Sequence, residues 1–300
     1  MQKSFWLTVW GIAVVGTALG QLKKQFTVED NPACDNISLH LKANSGNCVI
    51  KPSPNSEILN VFSNQDQSYY SHNYQRETVG KTCEVYLKLE NDQSQGISQT
   101  ISTKMFGDPG EPSTKLWKMY LTNAKPYSLE LDYAVGNAHV DLSGLAISKL
   151  KINTGSADVT VGYNSGENQV VMDTFSVKVD LGSLSIKNLN LSKTKYMVAD
   201  VGFGNMILDF SSAPLVSNKI KGSVGAGNLV IILPSSETPV LVKVNDSWLC
   251  SVKFPGNMKK IAANTFASET YSKGAKNALE FDLDVSMGSI IFKEHAASNK

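Results

Sequence analysis

The stretch "SVGAGNLVIILP", residues 223–234, sets two glycines directly before an unbroken apolar run. A Gly-x-Gly of this kind can open a dinucleotide loop, but that fingerprint needs a third glycine and a helix immediately after it. Val230 stands where the third glycine belongs, and the residues that follow are β-rich. The phrase also recurs. Gly46 opens "GNCVI", Gly136 "GNAHVDL", Gly155 "GSADVTV", Gly182 "GSLSI", Gly204 "GNMIL", Gly227 "GNLVI" and Gly288 "GSIIF". From Gly136 to Gly227 the steps are 19, 27, 22 and 23 residues, the period of a solenoid coil.

Strand side chains alternate between faces, so the second and fourth residues after each glycine share one face. Those residues are Cys48/Ile50, Ala138/Val140, Ala157/Val159, Leu184/Ile186, Met206/Leu208, Leu229/Ile231 and Ile290/Phe292, all apolar. Intervening His139, Asp158 and Ser185 suit solvent. Coils stacked ~4.8 Å apart would turn these pairs into one internal ladder. Each glycine then serves as a corner, where a Cβ would clash or positive φ is needed. The adjoining Asn or Ser suits a corner through short polar bonds to local backbone. The calcium-binding nonapeptide repeat needs paired glycines and aspartate, which these copies lack.

The fold expected is all-β: a single-domain parallel β-solenoid with loop excursions, preceded by a signal peptide. Residues 1–20 have one early lysine, an apolar run and small residues before Gln21, the pattern of a cleaved secretory signal. Residues 21–125 read as an N-terminal β region with the first coil, 126–294 as the glycine-punctuated solenoid and 295–300 as a tail. No later segment approaches the ~20 apolar residues of a span. Residues 57–62, 82–90 and 115–121 read as strands, and 239–254 as two more; 255–274 reads as a long excursion off one coil. Loops are expected at 91–100, 106–113 and 262–271.

Without Lys3 the chain has 27 basic and 27 acidic residues. Arg76 is the single arginine, so a nucleic-acid partner is not expected. Cys34, Cys48, Cys83 and Cys250 allow three full pairings, and the sequence does not choose among them. Cys48 and Cys83 also fit as small buried hydrophobes on the apolar phase of strands. No cysteine–histidine spacing indicates zinc, and neither a metal nor a cofactor is expected.

No catalytic set stands out. "GYNSG" (162–166) lacks the serine-centred elbow, and His139 alternates outward to solvent. Solenoid sugar hydrolases use clustered carboxylates, whereas Asp141, Asp158, Asp173, Asp180, Asp200 and Asp209 are scattered. Asp141 and Asp158 are expected two positions out of register on adjacent coils. The segment "DQSYYSHNYQRE" (66–77) reads as a polar loop holding Tyr69, Tyr70, His72, Tyr74 and Arg76. Its aromatic rings could anchor a partner or cover the open end of the solenoid. "WLCSVKF" (248–254) reads as core or cap.

The run "LWKMYLTNAKPYSLELDYAVGNAHVDLSGLAISKLKINTGSADVTV" (116–161), with "VGAGNLVIILP" and "SMGSIIF", resembles the toast-rack family. This is the extracytoplasmic β domain that also ends LiaF-type proteins of the cell-wall-antibiotic response. A related adhesin-like group shares the glycine-punctuated strands. The likeness covers roughly residues 37–294 and implies a solenoid at the cell envelope. Membrane helices like those that precede the domain in LiaF-type sensors are not expected before it here, so a sensory role is not expected. The function expected is that of an exported, non-enzymatic envelope protein, periplasmic, on the outer surface or secreted. It would bind envelope polysaccharide or protein through faces and loops. A soluble accessory of an envelope-stress response and a carbohydrate-active β-helix enzyme are the alternatives.

Overall fold

The computed structural model describes residues 22–64, 70–91, 116–234 and 237–295. Among them, two large and mostly parallel β-sheets face one another, and helix is limited to one short turn at 189–192. Each floor of the solenoid is a strand in one sheet, a corner, and a strand in the other. The glycine-led floors are β2 (Asn36–Ala43) with β3 (Asn47–Ser53), β8 (Tyr127–Tyr133) with β9 (Asn137–Asp141), β10 (Ile147–Thr154) with β11 (Asp158–Gly162), and β12 (Met172–Val179) with β13 (Ser183–Lys187). They continue as β14 (Thr194–Val201) with β15 (Asn205–Asp209), β16 (Asn218–Val224) with β17 (Asn228–Leu233), and β22 (Leu279–Val285) with β23 (Ser289–Glu294). The first member of each pair belongs to sheet B and the second to sheet A.

These seven floors stack contiguously and in chain order. The long sequence gaps are where the chain leaves the stack to build an outer floor and then returns. Between Gly46 and Gly136 it lays β6 (Thr82–Asn91) and β7 (Leu116–Thr122) outside β2 and β3. Between Gly227 and Gly288 it lays β18 (Val240–Asp246) and β19 (Ser251–Lys253) outside β22 and β23. Antiparallel strands then cover three of the sheet ends. At the N-terminal end, β4 (Leu59–Ser63) and β1 (Lys23–Val28) extend sheet A past β7, and β5 (Tyr70–Val79) extends sheet B past β6. At the far end a hairpin of β20 (Met258–Ala262) and β21 (Thr265–Ser268) pairs with β18. Additions of this kind shield the parallel ladders, whose edges would otherwise be open to pairing.

The fourteen residues read as the ladder are all buried, none more than 5 % exposed, but on one floor Val159 and Val161, not Ala157 and Val159, stand level with Ala138 and Val140. The corner column contains one departure from the sequence reading. Asp158 pairs with both Asn137 and Ser183, so Ala157, not Gly155, stands level with Gly136 and Gly182. Gly155 lies two residues earlier, against Ala134. The column Gly136, Ala157, Gly182, Gly204, Gly227 thus advances in steps of 21, 25, 22 and 23 residues, more even than the glycines alone suggest. Corner glycines are required for two reasons. Gly46 and Gly136 have φ of 105° and 111°, in the region that favours glycine. At Gly182, Gly204, Gly227 and Gly288 the reason is space, because a Cβ there would fall 2.0–2.3 Å from a carbonyl oxygen of the neighbouring floor.

The Asn or Ser after each corner bonds mainly to its counterpart on the next floor. Asn137 donates to Asn47 (2.9 Å), Ser183 to Asp158 (2.7 Å), Asn228 to Asn205 (2.8 Å) and Ser289 to Asn228 (2.6 Å). A polar file therefore runs up the outer face of sheet A beside the corners. Inside, Asn168 is fully buried; it accepts from the Ile147 amide (2.8 Å) and donates to the Ile147, Val170 and Ser192 carbonyls. One side chain thereby ties three floors on the side opposite the corners.

Candidate functional site

The residues 66–77 expected as a loop are largely strand. Residues 70–79 form β5, joined to β6 by a tight turn at Gly80 and Lys81, with Gly80 at φ 60°. Its weak apolar alternation reflects its position at the end of sheet B, with solvent beyond it. Tyr74 is half-buried against the core, its ring 5.4 Å from that of Phe26. It therefore covers the end of the solenoid. Arg76 lies exposed on the same strand, Tyr70 and His72 fall on it, and Tyr69 lies outside the described residues. Residues 1–20, read as the signal, and all of the 295–300 tail but His295 also lie outside them.

Three further expectations change. The 255–274 excursion contains the β20–β21 hairpin, so 262–271 is partly strand and not a loop. In "WLCSVKF", Val252 and Phe254 pack on the core, but Trp248 is 90 % exposed and Leu249 projects beside it. The β18–β19 link swings beyond the corner and carries both side chains outward. Asp141 and Asp158 are four positions apart in register, since Asp158 pairs with Asn137 and Asp141 with Gly162. That separation is roughly 13 Å along the strand, and the cause is the displaced Gly155. Burial pushes the Asp141 carboxyl up, but hydrogen bonds from Ser143 and Asn164 outweigh it and hold the group below its usual value. Its carboxylate accepts from the Ser143 amide (3.1 Å) and hydroxyl (2.5 Å), fixing the turn after β9.

Among the described residues, concavities on the outer face of sheet B include one at each end. Near the N-terminal end, a cavity of about 370 Å³ is lined by His40, Tyr86, Glu130 and Asp132 among others. His40 lies 3.0 Å from Glu130 and 3.3 Å from Glu84, and stacks on Tyr86 at 4.7 Å. The Lys151 ammonium, 2.5 Å from Glu130, is the main cause holding that carboxyl below its ordinary value; partial burial opposes it and His40 assists.

The larger concavity, about 890 Å³, lies toward the C-terminal end. Its floor is a single row across four floors, Tyr196, Lys219, Glu280 and Leu241, at the starts of β14, β16, β22 and β18. Ile261 of β20 and the 271–278 segment wall it in, bringing Tyr271 and Lys273; Lys195 stands at the margin. Tyr196 is 54 % exposed, and the Tyr271 hydroxyl donates to Glu280 (3.2 Å). The lining thus has two phenol rings, the aliphatic side chains of Leu241 and Ile261, and three lysines against one carboxylate. Lys195 lies 3.4 Å from Asp173. Sequence reading missed this groove because its residues come from positions 195–280 and are individually ordinary. The outward phase of each strand start would have supplied the floor residues.

Among the described residues, no group of three or more histidine, cysteine or carboxylate side chains could hold a metal ion, and no helix is long and apolar enough to cross a membrane. A sequence profile of the family "N-terminal domain of toast_rack, DUF2154" matches residues 17–183. No curated protein matches the chain. The solved structures that match include two of low identity. One is a candidate cell adhesion protein from Clostridium sporogenes, 15 % identical, with TM-score 0.42 over 91 % of this chain and 100 % of that one. The other is a candidate lipid binding protein from Parabacteroides distasonis, 10 % identical, with TM-score 0.35 over 91 % of this chain and 96 % of that one.

Proposed function

The chain belongs to the toast-rack family, and from that footing we propose that it is an exported, non-enzymatic cell-envelope protein that binds acidic polysaccharide in an adhesin-like way. The observation that carries this reading is the groove over Tyr196, Lys219, Glu280 and Leu241. Phenol rings offer flat apolar faces to the C–H faces of sugars. Lys219 and Lys273 offer ammonium groups to carboxylates or phosphates along a glycan. A sheet floor holds these groups in fixed positions before the ligand arrives, which reduces the entropic cost of binding.

The test is an array of neutral and acidic glycans, with peptidoglycan, probed with the wild-type chain and with Tyr196→Ala/Tyr271→Ala. Retention on acidic glycans, lost in the double variant at unchanged Tm, is the expected result. Equal retention of both chains would reject the groove as the site.

A further inference from the structure

The corners between the sheets expose side chains at their tips. From the Gly182 corner onward the tips are Leu181, Phe203, Ala226 and Met287. Main-chain hydrogen bonds set them in one file: the Phe203 amide donates to the Asp180 carbonyl, Ala226 to Gly202 and Met287 to Gly225, each at 2.8 Å. The β18–β19 link ends the file with Trp248 and Leu249, held there by the Ser247 hydroxyl, which donates to the Ser286 carbonyl. Leu181, Phe203, Met287, Trp248 and Leu249 are 60, 72, 60, 90 and 51 % exposed. Five floors at ~4.8 Å give a ridge about 20 Å long. Corner geometry does not demand apolar tips, because serine serves at Ser45 and Ser156 on other floors. Aligned apolar side chains in water mark an interaction surface.

The border of the ridge indicates the partner. On the sheet B side it is acidic, with Asp180, Asp200, Asp284 and Asp246. Lys178, 3.0 Å from Asp180, is the lysine among these positions. On the sheet A side the border is the uncharged file of Asn205, Asn228 and Ser289. An acidic border of Asp180, Asp200, Asp284 and Asp246 repels an anionic lipid surface and an acidic glycan alike. Carboxylates beside apolar anchors complement apolar side chains flanked by lysine or arginine. We infer that the ridge docks a basic, amphipathic polypeptide segment. The ridge lies beyond the ends of the sheet B strands, whereas the groove lies at their starts, so the two surfaces can be tested separately.

The experiment measures fluorescence anisotropy of a labelled leucine/lysine amphipathic peptide titrated with the whole chain, beside a leucine/glutamate counterpart. The leucine/lysine peptide binds. Phe203→Ser/Trp248→Ser weakens it about tenfold or more, as loss of central anchors does, and Asp200→Asn/Asp284→Asn weakens it severalfold, at unchanged Tm. Lys219→Ala in the groove leaves binding unchanged. Equal binding of the acidic peptide, or unchanged binding by the Phe203/Trp248 variant, overturns the proposal. So does displacement of the peptide by phosphatidylcholine vesicles. Self-association of the wild-type chain in sedimentation, abolished by the same double variant, would assign the ridge to a second copy and equally overturn it.

Discussion

A β-carbon built on Gly182 would stand 2.0 Å from the carbonyl oxygen of Ala157, one floor away. No side-chain rotation relieves that approach, because the obstacle is backbone. Gly182→Ala must separate two floors and is expected to cost several kcal/mol, about 3 or more. Gly256→Ala, where nothing lies within 4 Å, is the control and should be near neutral. Urea unfolding of both variants checks the contrast.

Leu229 and Ile231 are fully buried, while Val230 between them faces outward and is half-buried. Leu229→Asp or Ile231→Asp places an unpaired carboxylate in the core and should cost about 4 kcal/mol or more. Val230→Asp should lose under about 1.5 kcal/mol, as its carboxylate remains hydrated. Equal losses at all three positions would contradict the assigned phase.

The cysteines divide into three chemical classes. Cys34 and Cys83 form a disulfide spanning 49 residues between the start of β2 and β6. Cys48 is buried, and burial pushes its thiol up to about 12, whereas Cys250 is half-buried. Native alkylation read by mass spectrometry should label Cys250 and spare Cys48. Denaturation should expose Cys48, and reduction is needed for the other two. Cys34→Ser should cost about 2–4 kcal/mol.

Glu130 supplies a pH-dependent contribution. Its folded pKa is depressed, chiefly by the hydrogen bond from Lys151. The stabilisation is therefore present above the unfolded value of about 4.3 and is lost as pH falls through the folded value. Solvent screening limits it to about 0.5 kcal/mol. Urea titrations of wild type and Glu130→Gln should differ by this amount at neutral pH and converge in acid. A gap that persists at low pH would assign the effect to packing.

The repeated glycine phrase made the floors and their core phase legible, because a strand's period of two leaves little freedom once corners recur. The strands at 82–90, 115–121 and 239–254 were legible, but the gaps after Gly46 and Gly227 concealed that they form two outer floors parallel to β2/β3 and β22/β23, stacked out of chain order. Polar β5 was hidden because an end strand needs little apolar alternation. Gly155 misled because Ala157 can occupy the corner column that glycine usually fills. The ridge had a signal in the sequence: Leu181, Phe203, Ala226 and Met287 each immediately precede a phrase glycine. The groove had only the outward phase of separate strand starts, and residues as distant as Tyr196 and Glu280 meet only after stacking.

The central claim is recognition of an acidic glycan in the groove without turnover. The most direct measurement incubates the purified chain with an acidic polysaccharide, following both retention of the chain and release of new reducing ends. Retention that falls about tenfold in Tyr196→Ala/Tyr271→Ala, with no new reducing ends from either chain, is the predicted result. Reducing ends that accumulate with the wild-type chain, or retention unaffected by the double variant, would contradict it.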